Sequence, residues 1–411
     1  MIIPRLLPLA VLAALLSCKD STDPRPRPAP APVLTSLTPA TAVAGASSVT
    51  VTLKGSGFSS ASQVRWDGAD LPTTFVSNTQ LTAVVGASRL AGFAAAEITV
   101  HSPPPGGGTS QPALFTVFGA GPLTWTVSTV TVGGRPWDVT IAPNGTAYVT
   151  RINVDSVLRL NVAVNATAGT FPTGSWPYET TFNASGSLAW AAHAVDHTVA
   201  VINAATHQVT NSWLMASQPI RLRVNREKTK LYVTHTDGTV AVVNPATGMQ
   251  VSPPLAIGGV LNGIALTPDG SRLWVANTSG LVREIDTATD AAGRSITMGG
   301  VPQDLIVSRD GSTLYVANEV GWVGVYDLAT LARLDSISVS SAFGLGLSHH
   351  GALLWVSRAS AGIVSVYYTA NRTLAGTITT GGTARHVAFS AGNTAVIANE
   401  NSAIHFARLN P

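Results

Sequence analysis

The sequence predicts an all-β protein: a small β-sandwich followed by a large ring of radially stacked four-stranded sheets. Three observations carry that expectation. Only 11% of the 411 residues are charged while 45% are hydrophobic, too few charges to clothe the exposed faces of a helical bundle or coiled coil. Short alternating apolar and polar runs are punctuated throughout by 38 glycines and 25 prolines, the pattern of strands joined by turns. Beyond residue 123, one strand type recurs at a nearly fixed interval, the mark of a repeat architecture.

The chain opens with Arg5 and the apolar run Leu6 to Leu16, too short to span a bilayer and of the right length for a signal-peptide core over residues 1–17. The run ends in Leu15-Leu16-Ser17-Cys18, around the single cysteine of the chain. This tetrad resembles the lipobox of bacterial lipoproteins, which implies a lipidated Cys18 as the first mature residue and a membrane partner reached through its acyl chains. Each buried CH₂ adds about 0.8 kcal/mol to anchoring, so several chains hold firmly where one does not. Lys19 after the cysteine favours the outer membrane in a Gram-negative host. Residues 18–32 contain Asp23-Pro24-Arg25-Pro26-Arg27-Pro28-Ala29-Pro30-Ala31-Pro32, alternating prolines that predict an extended polyproline spacer.

Residues 33–118 alternate in short segments such as Val49 to Leu53 and Glu97 to Val100, as expected of a β-sandwich. Ser102 to Gly108 reads as a hairpin tip. The succession Leu37-Thr38-Pro39, Gly55-Ser56-Gly57-Phe58, Val64-Arg65-Trp66-Asp67-Gly68 and Thr79-Gln80-Leu81-Thr82 resembles the IPT/TIG immunoglobulin-like domain. The resemblance implies a spacer or adhesive module with Phe58 in its core.

Residues 123–411 carry the repeat. Tyr148, Trp190, Tyr232, Trp274, Tyr315, Trp355 and Val396 follow one another at intervals of 42, 42, 42, 41, 40 and 41, which makes seven units. Ahead of the aromatic lies Gly-Gly-x-Pro or a relative, as in Gly133 to Pro136 and Gly299 to Pro302, and beyond it a strand ending in Asn or Asp with Thr three residues on, as at Asn203, Asn244, Asp286 and Asp327; the last unit departs from the motif, with Val396 for the aromatic and no such ending. Those Asn and Asp residues predict Asx-type turns. A four-stranded unit of this size cannot bury both faces alone, and radial stacking buries them against neighbours. The motifs resemble the YVTN (YncE-like) family of seven-bladed β-propellers. The seventh unit lacks a fourth strand, and residues 124–132 alternate as an outer strand does. We therefore expect that N-terminal segment to close the ring.

In such a ring the start of each innermost strand and the end of each second strand share one face. Two residues past the proline position stand Asp138, Glu179, Arg221, Gly263, Asp304, Leu345 and His386, expected to rim the central channel. Three past the aromatic stand Arg151, His193, His235, Asn277, Asn318, Arg358 and Asn399, expected just outside it. Two readings stay open. The sets pair within each blade, as Asp138 with Arg151 or Glu179 with His193, to satisfy buried polar groups. Alternatively the two sets together form an asymmetric mouth that binds a ligand.

Catalysis, if present, would draw on Asp138, Glu179, Asp304 and His386, and lactonases with this fold make a hydrolase the alternative to a binding role. No Gly-x-Ser-x-Gly elbow, Walker A loop or dinucleotide fingerprint occurs, so no cofactor is expected. Scattered histidines and one cysteine argue against a metal site. A formal net charge of +3 without a basic patch argues against nucleic acid, and Arg221, Arg223, Arg226, Lys228 and Lys230 read as a solvated loop. The expected protein is thus a lipid-anchored envelope platform for a protein or glycan partner.

Overall fold

The computed structural model describes residues 30–105 and 107–410. The signal peptide, Cys18 and most of the proline-rich segment lie outside the described residues. What is described is all-β apart from one 3₁₀ turn, Ala87–Leu90.

The first domain is a sandwich. One sheet runs in the order Val33–Thr38, Ser48–Ser56, Gln80–Gly86, Thr73–Ser77, and the other in the order Thr41–Val43, Ala113–Phe118, Ala94–Ser102, Gln63–Trp66, Ala69–Asp70. Alternation sends Val51, Leu53, Val64, Trp66, Ile98 and Phe115 into a shared core with Phe58, the arrangement of aligned sheets packed face to face. Asp67 and Gly68 both have positive φ (47° and 82°), so the hairpin from Gln63–Trp66 to Ala69–Asp70 turns through the tight geometry such residues permit. The expected hairpin at Ser102 is present, with Ala94–Ser102 pairing Gly108–Thr109.

The second domain is a seven-bladed propeller. Six blades are consecutive antiparallel four-stranded sheets, from Pro136–Ile141 at the start of blade one to Leu374–Thr379 at the end of blade six. Blade seven combines Ala384–Phe389, Ala395–Asn399 and Ala403–Leu409 with Trp125–Thr131 as its outer strand. Trp125 pairs with Leu409 and Thr131 with Ala403 in an unbroken antiparallel register. Each innermost strand packs against the next, and Pro136–Ile141 completes the circle against Ala384–Phe389.

The repeating aromatics hold blades together. Tyr148, Trp190, Tyr232, Trp274, Tyr315 and Trp355 are all at most 4% exposed; Trp274, for one, packs with Leu305 and Leu314 of the following blade. A buried side chain of this size contributes about 1.5–3 kcal/mol on leaving water. The closing seam is equally apolar, with Val139 and Val149 of blade one against Val396, Ile404 and Phe406 of blade seven. The Asx turns also form: the Asn203 carboxamide oxygen accepts from the N–H of Ala205 and Thr206 at 2.9 and 3.0 Å, and Asp286 repeats this with Ala288 and Thr289.

The sandwich sits on one face of the ring. Phe118 meets Tyr368 edge-on at 4.9 Å, the Gly119 N–H donates to the Tyr368 hydroxyl at 3.0 Å, and Glu97 lies 3.8 Å from Arg309. Arg309 belongs to the turn between the first two strands of blade five. The starts of the innermost strands are therefore on the opposite face, turned away from the sandwich.

Candidate functional site

In all seven blades the first residue of the innermost strand lies opposite the last residue of the second. The pairs are Pro136 with Arg151, Pro177 with His193, Pro219 with His235, Leu261 with Asn277, Pro302 with Asn318, Ala342 with Arg358 and Ala384 with Asn399. In every blade the register shifts immediately after this pair. A bulge breaks the alternation of side chains, and here residues two and three of the strand both serve the channel.

The third residues form its floor. Asp138, Glu179, Arg221, Asp304 and His386 converge from five blades, each between 4% and 9% exposed. Arg221 Nη2 lies 2.8 Å from His386 Nε2, and Arg221 Nη1 lies 3.7 Å from Asp138 and 4.0 Å from Glu179. His386 Nδ1 stands 3.7 Å from Asp304 and 3.9 Å from Asp138. Guanidinium has only donors, so Nε2 is the acceptor toward Arg221, and Nδ1 faces the two carboxylates.

The carboxylates are held unequally. Glu179 accepts from the Leu222 N–H at 2.6 Å and pairs with Arg223 at 2.5 Å. Asp304 accepts from the N–H groups of Leu305 and Leu345, both at 2.9 Å. Thus Glu179 and Asp304 each cap the fourth residue of the next blade's innermost strand. Among the described residues, the Asp138 carboxylate accepts only from Thr140, at 3.4 Å. Burial pushes its carboxyl above the ordinary range, and His386 and Arg221 at these distances do not offset it. Burial also opposes the Asp304 carboxylate, but His386, Arg221 and the Leu345 N–H outweigh it and hold it below that range.

Several expectations are corrected here. The two polar sets do not pair within blades, because the bulge directs the third residues across the channel. Arg151 donates to the Val132 carbonyl, Ser156 and Thr170, not to Asp138. His193 accepts from the Gly174 N–H at 3.1 Å and meets Thr173 and Thr198, not Glu179. His235 bonds Thr239, Arg358 bonds Ser340, and Asn277, Asn318 and Asn399 each donate to the carbonyl of Gly258, Gly299 and Gly381. These seven side chains fasten the loops around the mouth. The double-glycine loops let them do so: Gly299 and Gly300 both have positive φ (74° and 67°), and a Cβ on Gly300 would collide with the Asn318 carboxamide. In blade six the third residue is Gly344, not Leu345, since Ala342 is the residue opposite Arg358. The basic run of blade three is no solvated loop: Arg221 and Arg223 enter the channel and Lys230 pairs with Asp290 at 2.8 Å, leaving only Arg226 and Lys228 exposed.

Above the floor lies a ring that counting from the proline does not single out, the second residues. Trp137, Tyr178, Ile220, Asn262, Gln303 and Phe343, with Arg221 beneath, line a cavity of ≈ 270 Å³. Trp137 meets Tyr178 and Phe343 edge-on at 5.3 and 6.0 Å, giving an aromatic arc over blades six, seven, one and two. The Arg385 guanidinium lies within it, 4.5 Å from the Trp137 ring and 4.2 Å from that of Phe343. Asn262 and Gln303 face the arc and bond each other at 2.8 Å. Among the described residues, no group of three or more His, Cys, Asp and Glu is placed to hold a metal ion.

No curated protein matches the chain. Residues 32–117 match the family model of the IPT/TIG domain, so the sandwich is an IPT/TIG domain.

Proposed function

We propose that this protein is a lipid-anchored binding protein of the bacterial cell envelope, in which the IPT/TIG domain carries a YVTN-type propeller whose channel mouth takes an extracytoplasmic protein or glycan. Cys18 bears the anchor and residues 18–32 the spacer, with the outer membrane as the site of attachment. The observation that carries the reading is the asymmetric ring of second residues, which opens on the face turned away from the IPT/TIG domain. An apolar cavity with a few converging polar groups is the usual form of a ligand site.

Binding is favoured over hydrolysis by the state of the floor. His386 Nε2 accepts from Arg221, Glu179 and Asp304 are engaged by backbone N–H groups, and burial drives Asp138 toward its neutral form. A catalytic base needs a free position within reach of substrate.

Two measurements test the reading. Cys18→Ser moves the chain from the membrane to the soluble fraction; retention at the membrane contradicts the anchor. Capture of envelope material by the wild-type chain is lost in Tyr178→Ala with an unchanged melting temperature; equal capture by the variant contradicts the mouth as the binding site.

A further inference from the structure

Resting on the binding reading above, we propose that the mouth takes one six-membered sugar ring bearing a carboxylate. The cavity, at ≈ 270 Å³, falls just under the range of about 300–1,000 Å³ usual for small-molecule pockets, which suits a single ring. Its walls are unlike. Phe343, Trp137 and Tyr178 make one side apolar, while Asn262 and Gln303 make the other polar. A pyranose has the same division, with C–H faces and hydroxyl edges.

The amide wall has a fixed direction. Glu319 can only accept, so Gln303 turns its NH₂ group to it, at 2.5 Å, and its oxygen to Asn262. Asn262 must then donate to Gln303, and its own oxygen is left as an acceptor for a hydroxyl. The opposite wall carries one unpaired donor, held just behind the ring face. Trp137 Nε1–H is buried with no acceptor among the described residues. Four other tryptophan N–H groups share that condition, those of Trp213, Trp274, Trp322 and Trp355, but of the five only Trp137 lines this cavity.

The charge comes from Arg385. Its Nε is paired with Glu400, which also accepts from Arg135 at 2.6 Å, so two guanidinium groups share one carboxylate and one positive charge is left over. The Arg385 Nη groups have no acceptor among the described residues, and the guanidinium lies against the rings of Trp137 and Phe343, which line the cavity. A planar fork held by two rings is preorganised for a carboxylate. The floor raises no opposing field, since Arg221 and Arg223 match Glu179 and Asp304, and burial drives Asp138 toward its neutral form.

The test is calorimetric titration of the full chain in detergent micelles at low salt with D-glucuronate, D-galacturonate, D-glucose, N-acetylglucosamine and acetate. At least one uronate is expected to bind roughly tenfold or more tighter than glucose, the scale of a charge-assisted bidentate contact, and to weaken as salt rises. Arg385→Gln should bring the uronates to the glucose level. Arg385→Lys, which keeps the charge and the tie to Glu400, should retain only part of the preference. Equal binding of glucose and both uronates, or an unchanged preference in Arg385→Gln, overturns the proposal. Acetate binding as tightly as the uronates overturns it too, since an anion alone would then suffice. If no sugar binds while envelope capture still depends on Tyr178, this ligand class is wrong and the binding reading stands; if capture is also independent of Tyr178, both fail.

Discussion

Arg221 of blade three donates a hydrogen bond across the channel to Nε2 of His386 in blade seven, 165 residues further along the chain. The contact is possible only because the ring is closed, and it places a permanent cation beside Asp138 and Glu179. Breaking a buried charge pair strands its partners, at a cost of about 3–5 kcal/mol. Arg221→Ala should lose stability on that scale in chemical denaturation; a loss under about 1 kcal/mol would show that the floor is solvated.

The pH dependence of stability has a traceable source in His193. Burial lowers its pKa from 6.5 to about 4, against the pull of Asp196 and Asp155. The folded chain therefore binds fewer protons than the unfolded chain between those values, and stability falls as pH drops from 6.5 towards 4. A shift of that size is worth about 3 kcal/mol. In denaturation series across this window, His193→Gln should flatten the wild-type slope. The slope that remains belongs to groups such as His235 and His405, lowered by burial in the same direction. An identical slope in the variant would contradict the assignment.

Closure makes a separate demand. Without residues 124–132, the strand Ala403–Leu409 loses its outer partner and becomes an open edge, and the Trp125 ring leaves Trp355, 5.3 Å away. The truncated chain should not show the cooperative melt of the intact one. An unaltered melting profile would contradict closure by this strand.

Tyr368 is the hinge point between domains, touching Phe118, Phe93 and the Gly119 N–H. Tyr368→Ala should uncouple the IPT/TIG domain from the propeller, read as faster proteolysis between residues 119 and 123 with both domains still folded. Unchanged cleavage would mean that the linker is fixed by other contacts.

Much of this architecture was legible in the sequence because periodicity reports burial. Tyr148 through Val396 recur at a blade's length since each must sit in the same packed seam, and Trp125 to Thr131 alternates since one face of it is covered. The site was legible only in part. Asp138, Glu179, Arg221, Asp304 and His386 were found by counting from the proline. Trp137, Tyr178, Phe343 and Arg385 were passed over because strict alternation places a second residue away from the channel. The bulge that re-aims it has no fixed residue signature, and the same bulge undid the expected pairing of Asp138 with Arg151. Blade six has neither the proline nor the double glycine before it, only Ser340-Ser341 ahead of Ala342, and the count slipped by one residue there. The basic run from Arg221 to Lys230 misled for a related reason, since its partners Glu179, His386 and Asp290 are far away in sequence.

The most direct test of a mouth assembled from distant blades is a double-mutant cycle on Arg221→Ala and His386→Ala, read by chemical denaturation. Side chains in contact predict a coupling energy of about 1 kcal/mol or more. Additivity within about 0.5 kcal/mol, as for sites remote from each other, would contradict a channel in which blades three and seven meet.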